Sequence, residues 1–158
     1  VADIDFYRLD ASWQAALLDA DRRTSDSPWS IGQWAAVMAD PQTVIWGAAD
    51  DQGNSLVAFA VLARLPFEAE LQRIGVIPQC RRQGIAYRLL DVLMREAKGW
   101  QSERVLLEVR AGNRPARRLY QQFGFVEEGC RPGYYPPERR ETGGRGQRED
   151  AILMSRRP

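Results

Sequence analysis

The sequence predicts an α/β (α+β) fold, a mixed central β-sheet with helices on both faces, built as a single domain over residues 1–158. Three observations predict it. Strand-like apolar runs alternate with helical patterns along the chain. The segment 69–109 reads strand–helix–strand, which makes its two strands parallel neighbours. Hydrophobic residues make up 44% of the chain and charged residues 27%, enough for one core of ordinary globular composition.

The elements follow in order. Residues 5–9 offer an N-terminal strand, and residues 13–20 read as a short helix with Ser12 as its cap. Ser27-Pro28-Trp29-Ser30 is a turn. Ser30 caps a second helix through residue 39, and Asp40-Pro41 ends it, because the residue before a proline avoids helical backbone. Residues 43–49 and 55–63 form a hairpin around a turn at 50–54, and residues 69–76 are a third strand. In the helix 85–98, Ile85, Leu89, Val92, Leu93 and Ala97 share one face, and Gly99 stops it. Residues 104–109 are the next strand. Pro115 suits the first turn of a helix that runs to Phe123, with Gly124 just beyond its end. Residues 125–131 and 151–156 are the last strands, joined by a Pro/Gly/Arg-rich loop over 132–148.

Composition narrows the chemistry. The net charge of +1 gives no global field for nucleic acid, and no run reaches the length of a membrane span or reads as a secretory signal. Cys80 and Cys130 are isolated, so neither a zinc site nor a disulfide framework is expected, and a reducing, cytoplasmic setting is the default. The chain has no histidine and a single lysine, Lys98. The commonest general base and metal ligand is therefore missing, and acid–base work falls to carboxylates, Tyr, Cys or that lysine.

One turn stands out. Ile74-Gly75-Val76 ends a strand, and Arg81-Arg82-Gln83-Gly84-Ile85-Ala86 leads into the amphipathic helix. The first N–H groups of a helix lack intrahelical partners and sit at the positive end of its dipole, so such a turn suits a phosphate. There is no Gly-Lys-Ser/Thr for a terminal phosphate and Mg²⁺, and the three glycines of the dinucleotide fingerprint are absent. An ordinary strand–helix turn with solvated arginines is the other reading of the same residues.

The pattern Arg81-x-x-Gly84-x-Ala86 resembles the coenzyme A pyrophosphate loop of the GCN5-related N-acetyltransferase (GNAT) superfamily. Leu107-Glu108-Val109-Arg110-Ala111-Gly112-Asn113, then Leu119-Tyr120 and Phe123-Gly124-Phe125, is similar to the second half of such an enzyme. Gly133-Tyr134-Tyr135-Pro136 with Arg148-Glu149-Asp150-Ala151-Ile152-Leu153-Met154, and Pro28-Trp29-Ser30 near the start, resembles the RimI branch, the bacterial ribosomal-protein-alanine N-acetyltransferases. The likeness covers the chain from about Pro28 onward. Ala86 stands where a second glycine is more usual, and the stretch between Tyr135 and Arg148, with Glu138-Arg139-Arg140-Glu141, is longer than the branch normally has.

The resemblance implies a GNAT fold and acetyl-CoA as co-substrate, with no metal. Ile74, Gly75, Val76, Arg81, Arg82, Gln83, Gly84, Ile85, Ala86, Tyr87 and Asn113 would hold the cofactor. Gly75 would allow close backbone approach, and the Val76 N–H would polarise the thioester carbonyl. Glu108 would be the general base and Tyr120 the acid that protonates the leaving thiolate. Tyr134, Tyr135 and Glu70 would bind the acceptor, an N-terminal peptide of a small-subunit ribosomal protein, on a monomeric enzyme.

Each residue also has a plainer reading. Period two puts Leu106, Glu108 and Arg110 on one face of a strand, so Glu108 could pair with Arg110 or another arginine. Tyr120 lies in an apolar stripe with Ala116, Leu119 and Phe123, so it could be core. Asn113 could be a helix cap, Tyr134 and Tyr135 could pack on Pro136-Pro137, and Glu68 and Glu70 could be a solvated edge. The chemistry favours an α-amine acceptor. Neutralising an N-terminal amine of pKa ~7.7–8.0 at pH 7 costs roughly 1 kcal/mol, against more than about 4 kcal/mol for a lysine of pKa ~10.4. The alternatives are another protein N-terminus, a lysine or a small amine as acceptor, or a non-catalytic CoA-binding module. Both Glu108 and Tyr120 being present argues against the last.

Overall fold

The computed structural model describes residues 3–50, 55–137 and 147–158. Seven strands form one sheet in the order β1-β2-β3-β4-β5-β7-β6. They are β1 (Ile4–Arg8), β2 (Thr43–Asp50), β3 (Leu56–Arg64), β4 (Glu68–Val76), β5 (Arg104–Arg110), β6 (Val126–Tyr135) and β7 (Glu149–Arg156). The helices are α1 (Gln14–Thr24), α2 (Ile31–Ala39), α3 (Ile85–Gly99) and α4 (Arg114–Gln122). Only β4 and β5 run parallel, as the strand–helix–strand reading predicts; the other neighbours are antiparallel.

The core centres on β3, whose first eight residues are all buried. A strand buried on both faces reads as a continuous apolar run, and here α1 packs on one face and α3 on the other. The α2 helix starts where the sequence says, with a reciprocal capping box. Gln33 N donates to Ser30 Oγ at 3.1 Å and Ser30 N donates to Gln33 Oε1 at 2.8 Å.

Four boundaries differ from the sequence reading. Asp10, not Ser12, caps the first helical turn, a 3₁₀ piece over Ala11–Trp13, by accepting from Ser12 N at 3.0 Å. The α1 helix then continues to Thr24, because Asp21 is drawn inside. The α3 helix includes Gly99, and the left-handed residue that follows its end is Gln101, at φ 59. Strand β6 runs on to Tyr135, so the first part of the expected 132–148 loop is strand. Arg131 pairs with Ala151 and Tyr135 with Glu149, which leaves two extra residues on β6, and Gly133 bends there at φ +60. The turn at 51–54 and the segment 138–146, with Glu138 to Glu141, lie outside the described residues.

Asp21 is fully buried yet accepts three hydrogen bonds and holds an ion pair. Trp29 N (2.9 Å) and Trp34 Nε1 (3.0 Å) donate to one oxygen, Arg73 Nε (2.8 Å) donates to the other, and Arg73 Nη2 lies 2.7 Å from that second oxygen as an ion-pair contact. Arg73 also donates to Ser27 O at 3.0 Å and lies over the Trp29 ring. A charge so deep is tolerable only when paired and hydrogen-bonded. The cluster ties α1, the 25–30 turn, α2 and β4 together. Asp21→Asn should therefore lower unfolding stability by about 3–5 kcal/mol, the cost of orphaning a buried partner. Urea denaturation followed by tryptophan fluorescence would check this, and a loss under about 1 kcal/mol, the worth of an exposed pair, would contradict it.

Candidate active site

Strands β4 and β5 pair only from Glu68↔Arg104 to Leu71↔Leu107. Beyond that they part. The β3–β4 register shifts at the same point, since Leu62 faces Leu71 but Val61 faces Arg73, so Gln72 is an extra residue on β4. Such a bulge bends a strand away from its neighbour. The ends of β4 and β5 thus frame a gap in the sheet.

The gap exposes backbone groups. Ile77 N donates to Val57 O at 2.9 Å. Antiparallel alternation then turns the Gly75 backbone toward Phe59 and the Ile74 and Val76 backbones away from β3, toward the gap. Arg81 Nε donates to Val76 O at 3.0 Å, folding the loop back over the strand end. Gly75 has a packing reason for being glycine. A Cβ there would lie 2.7 Å from Thr24 Oγ1 and 3.0 Å from the Phe59 ring. The sequence reading expected a ligand to approach this position closely; on its side-chain face it is α1 that does so.

Beyond the gap, Arg82 (φ 65) and Gly84 (φ 77) turn the chain into α3, and Arg81, Arg82, Gln83 and Gly84 are exposed. Gly84 is the N-cap and offers no side-chain oxygen, so the first N–H groups of α3 stay uncapped, and a Cβ on Gly84 would meet nothing within 4 Å. This open, basic helix start fits a pyrophosphate. Ile85 is buried and anchors the helix, Ala86 is partly buried, and the half-exposed Tyr87 packs edge-on to Phe123 at 4.7 Å. Asn113 caps α4, accepting from Ala116 N at 3.3 Å.

On the α1–α2 side of the sheet lies a cleft of about 700 Å³, lined by residues that include Trp29, Glu68, Glu70, Glu108, Arg131, Tyr134 and Tyr135. Strand β5 alternates as predicted, with Val105, Leu107 and Val109 buried and Glu108 turned to the cleft. Glu108 Oε1 pairs with Arg131 Nη2 at 3.4 Å rather than with Arg110. Arg110 donates to Pro136 O (3.0 Å) and Glu149 (3.3 Å) and lies over the Tyr135 ring.

Tyr134 and Tyr135 sit at the end of β6, edge-to-face at 5.0 Å. Strand β7 pins them. Arg148 Nε donates to Gly133 O (2.7 Å), Arg148 Nη2 to Tyr134 O (3.1 Å), and Gly133 N to Asp150 Oδ1 (2.8 Å). The Tyr135 hydroxyl is pushed to higher pKa by burial and then by the Glu108 charge. Tyr120, at 6% exposure, packs on Phe125, and burial, with the nearby Tyr135, pushes its hydroxyl well above the ordinary value. It therefore stays protonated at neutral pH, the state a proton donor needs.

Sequence reasoning missed Arg131, Trp29 as a wall of the cleft, and the bulge at Gln72. A lone arginine on a strand carries no pattern that separates it from a solvated one.

The family model described as "Acetyltransferase (GNAT) family" matches residues 6–125. The chain belongs to the GNAT acetyltransferase family. The N-alpha-acetyltransferase RimI of Mycobacterium tuberculosis is 38% identical over 132 residues, covering 81% of this chain and 80% of that one. The crystal structure of the ribosomal-protein-S18-alanine N-acetyltransferase of Escherichia coli superposes with a TM-score of 0.84 at 30% identity, covering 97% of this chain and 92% of that one. Arabidopsis thaliana NAA60 in complex with acetyl-CoA shares the fold, with a TM-score of 0.81 at 21% identity over 98% of each chain. The chain is thus an N-acetyltransferase of the RimI type with the GNAT fold.

Glu70 completes the cleft from β4. Its carboxyl is pushed to higher pKa first by burial and second by Glu108, while Gln72 and Arg131 pull it the other way. A carboxyl raised in the folded state binds protons there that the unfolded chain has already lost. Stability linked to it is present at low pH and is lost as pH rises through the window from the unfolded to the folded value. Glu70→Gln should accordingly raise Tm at pH 7–8, with the gain shrinking as pH falls toward the carboxylate range. Thermal melts across pH test this, and a Tm lowered at neutral pH would show that Glu70 is held by a favourable partner.

Proposed function

We propose that this enzyme transfers acetyl from acetyl-CoA directly, in a ternary complex, to the N-terminal α-amine of a small-subunit ribosomal protein that begins with a small residue, best Ala. The observation that carries the reading is the Tyr134–Tyr135 pair, pinned by Arg148 and Asp150 beside Glu108. Two strand-borne tyrosines make a narrow wall whose hydroxyls suit the first backbone groups of a peptide entering end-on.

The remaining roles follow from position. The open start of α3, with Arg81, Arg82, Gln83, Gly84, Ile85, Ala86 and Tyr87, holds the pyrophosphate, and the gap-facing backbone of Ile74 and Val76, next to Gly75, takes the pantetheine arm. Acetyl-CoA supplies the thioester. The Val76 N–H, its C=O already engaged by Arg81, is the free donor for the carbonyl. Glu108 takes the proton from the ammonium, Tyr120 gives one to the departing thiolate, and Asn113 fixes the start of the helix that carries Tyr120. The acceptor's α-amine needs only a modest base, which one carboxylate supplies. In this reading the chain works as one domain and one monomer in the cytoplasm.

Glu108→Gln should cut kcat by roughly 10²–10⁴ with acetyl-CoA binding nearly unchanged. A stopped thiol-release assay on an Ala-initiated peptide measures it, and near-wild-type turnover would make Glu108 a structural partner of Arg131. The same peptide with a blocked N-terminus and free lysines should be a poor substrate by mass spectrometry; comparable rates would assign the enzyme to lysine. Separately, Gly84→Asp should abolish the rise in Tm that acetyl-CoA gives the wild type, because it sets an anion at the phosphate cradle. An unchanged shift in a folded variant would place the cofactor elsewhere.

A further inference from the structure

The cleft lining holds more carboxylates than cations: Glu68, Glu70, Glu108 and Glu128 face only Arg104 and Arg131. Arg104 Nη1 pairs with Glu128 Oε1 at 2.7 Å, and Arg104 Nη2 pairs with Glu68 at 3.4 Å. Glu108 is matched by Arg131. Glu70 makes no ion pair among the described residues, although the Arg131 charge reaches it as well as Glu108. Arg131, Glu70 and Glu108 line one cleft, the two carboxylates coming from the two parted strands.

Its hold is weak. The contact is a single 3.4 Å approach, the Arg131 side chain is 54% exposed, and the guanidinium rests over the Tyr134 ring at 5.3 Å. A structural arginine would grip the carboxylate through two parallel bonds. An exposed, one-point pair contributes about 0–1 kcal/mol and is readily exchanged. The chemistry proposed for this cleft brings in a cation, the acceptor's ammonium, before Glu108 can take its proton.

We propose that Arg131 is a displaceable counter-ion: in the free enzyme it pairs with Glu108, in a cleft that also holds Glu70, and the acceptor's ammonium takes over that place as the Arg131 side chain swings out along Tyr134. The inference rests on the peptide-amine reading above. It makes Arg131 a specificity-determining residue. The acceptor has to arrive charged, because a neutral group cannot replace the arginine, and Arg131 competes with every acceptor for Glu108.

The test is calorimetric titration of an Ala-initiated peptide into the CoA-saturated enzyme, where no transfer occurs. Arg131→Gln and Arg131→Met should bind the peptide roughly two- to fivefold more tightly than wild type, the worth of the exposed pair removed. Arg131→Lys should restore the wild-type affinity, and the gain should fade in high salt. The N-acetylated peptide, which carries no ammonium, should bind both forms alike. Equal or weaker binding of the free-amine peptide by both folded variants overturns the proposal, as does a wild type that does not bind it. Turnover of the same peptide by wild type with acetyl-CoA tests the acetyl-transfer reading on its own, so transfer with unchanged Arg131→Gln affinity sinks only the counter-ion.

Discussion

The structure depends on one extra residue in a strand. Gln72 has no place in the β3–β4 register, and it falls immediately after the last β4–β5 pair, Leu71↔Leu107. Without it, β4 and β5 would continue side by side and the sheet would be closed. With it, the period-two alternation of β4 slips by one. Glu70 and Arg73, three apart, then reach the same α1–α2 face, Glu70 in the cleft and Arg73 on Asp21. A β-bulge that both opens a gap and re-aims the side chains beyond it is a common device beside active sites.

A gap in a sheet is costly unless something holds its edges. Along β4 that is the Asp21–Arg73 cluster, which locks the end of α1 against the strand so tightly that Gly75 has no room for a Cβ beside Thr24. Trp29, whose N–H is fixed by the same carboxylate, forms one wall of the cleft. Along β5 the hold comes from β7, which pairs with it from Val105 to Arg110, past the point where β4 departs. The two lips are therefore braced by different elements and by different physics: a buried, fully satisfied charge on one side and an antiparallel ladder on the other.

Much of this was legible in the residues. The Ser30 cap of α2, the amphipathic face of α3, the parallel β4–β5 pair, the alternation that turns Glu108 off the core and the glycine at the start of α3 all follow from local periodicity and turn chemistry. What was not legible depends on distant partners. Asp21 reads as a solvated helix residue until Arg73 and Trp34 meet it. A bulge leaves no mark in a sequence, because any residue can be the unpaired one. Strand β6 looks as though it stops at Arg131, since Pro132 and Gly133 signal a turn. The strand goes on because Arg148 and Asp150, far along the chain, satisfy the backbone of Gly133 and Tyr134. The GNAT resemblance located candidate roles at Glu108 and Tyr120, but the arginine actually opposite Glu108 came only from the fold.

The arrangement also gives the proposed base and the proposed acid, on opposite faces of a sheet, a way to serve one reaction. Glu108 faces the cleft on the α1–α2 side. Tyr120 belongs to α4, on the side of α3, where Tyr87 and Phe123 pack together. A continuous sheet would keep them apart, since every strand places its backbone between its two faces. Where β4 and β5 part, that barrier is missing. Tyr135 lines the cleft together with Glu108. In the proposed reaction an amine arriving from the cleft and a thioester lying along the gap-facing backbone of Ile74 and Val76 would meet where the two strands part. Unpaired charge in that opening is penalised, and Arg131, held to Glu108 by one exposed contact, is loose enough to yield. In this fold, opening the sheet to join two faces and keeping charge balanced in the opening are one problem, and Gln72 and Arg131 are its two halves.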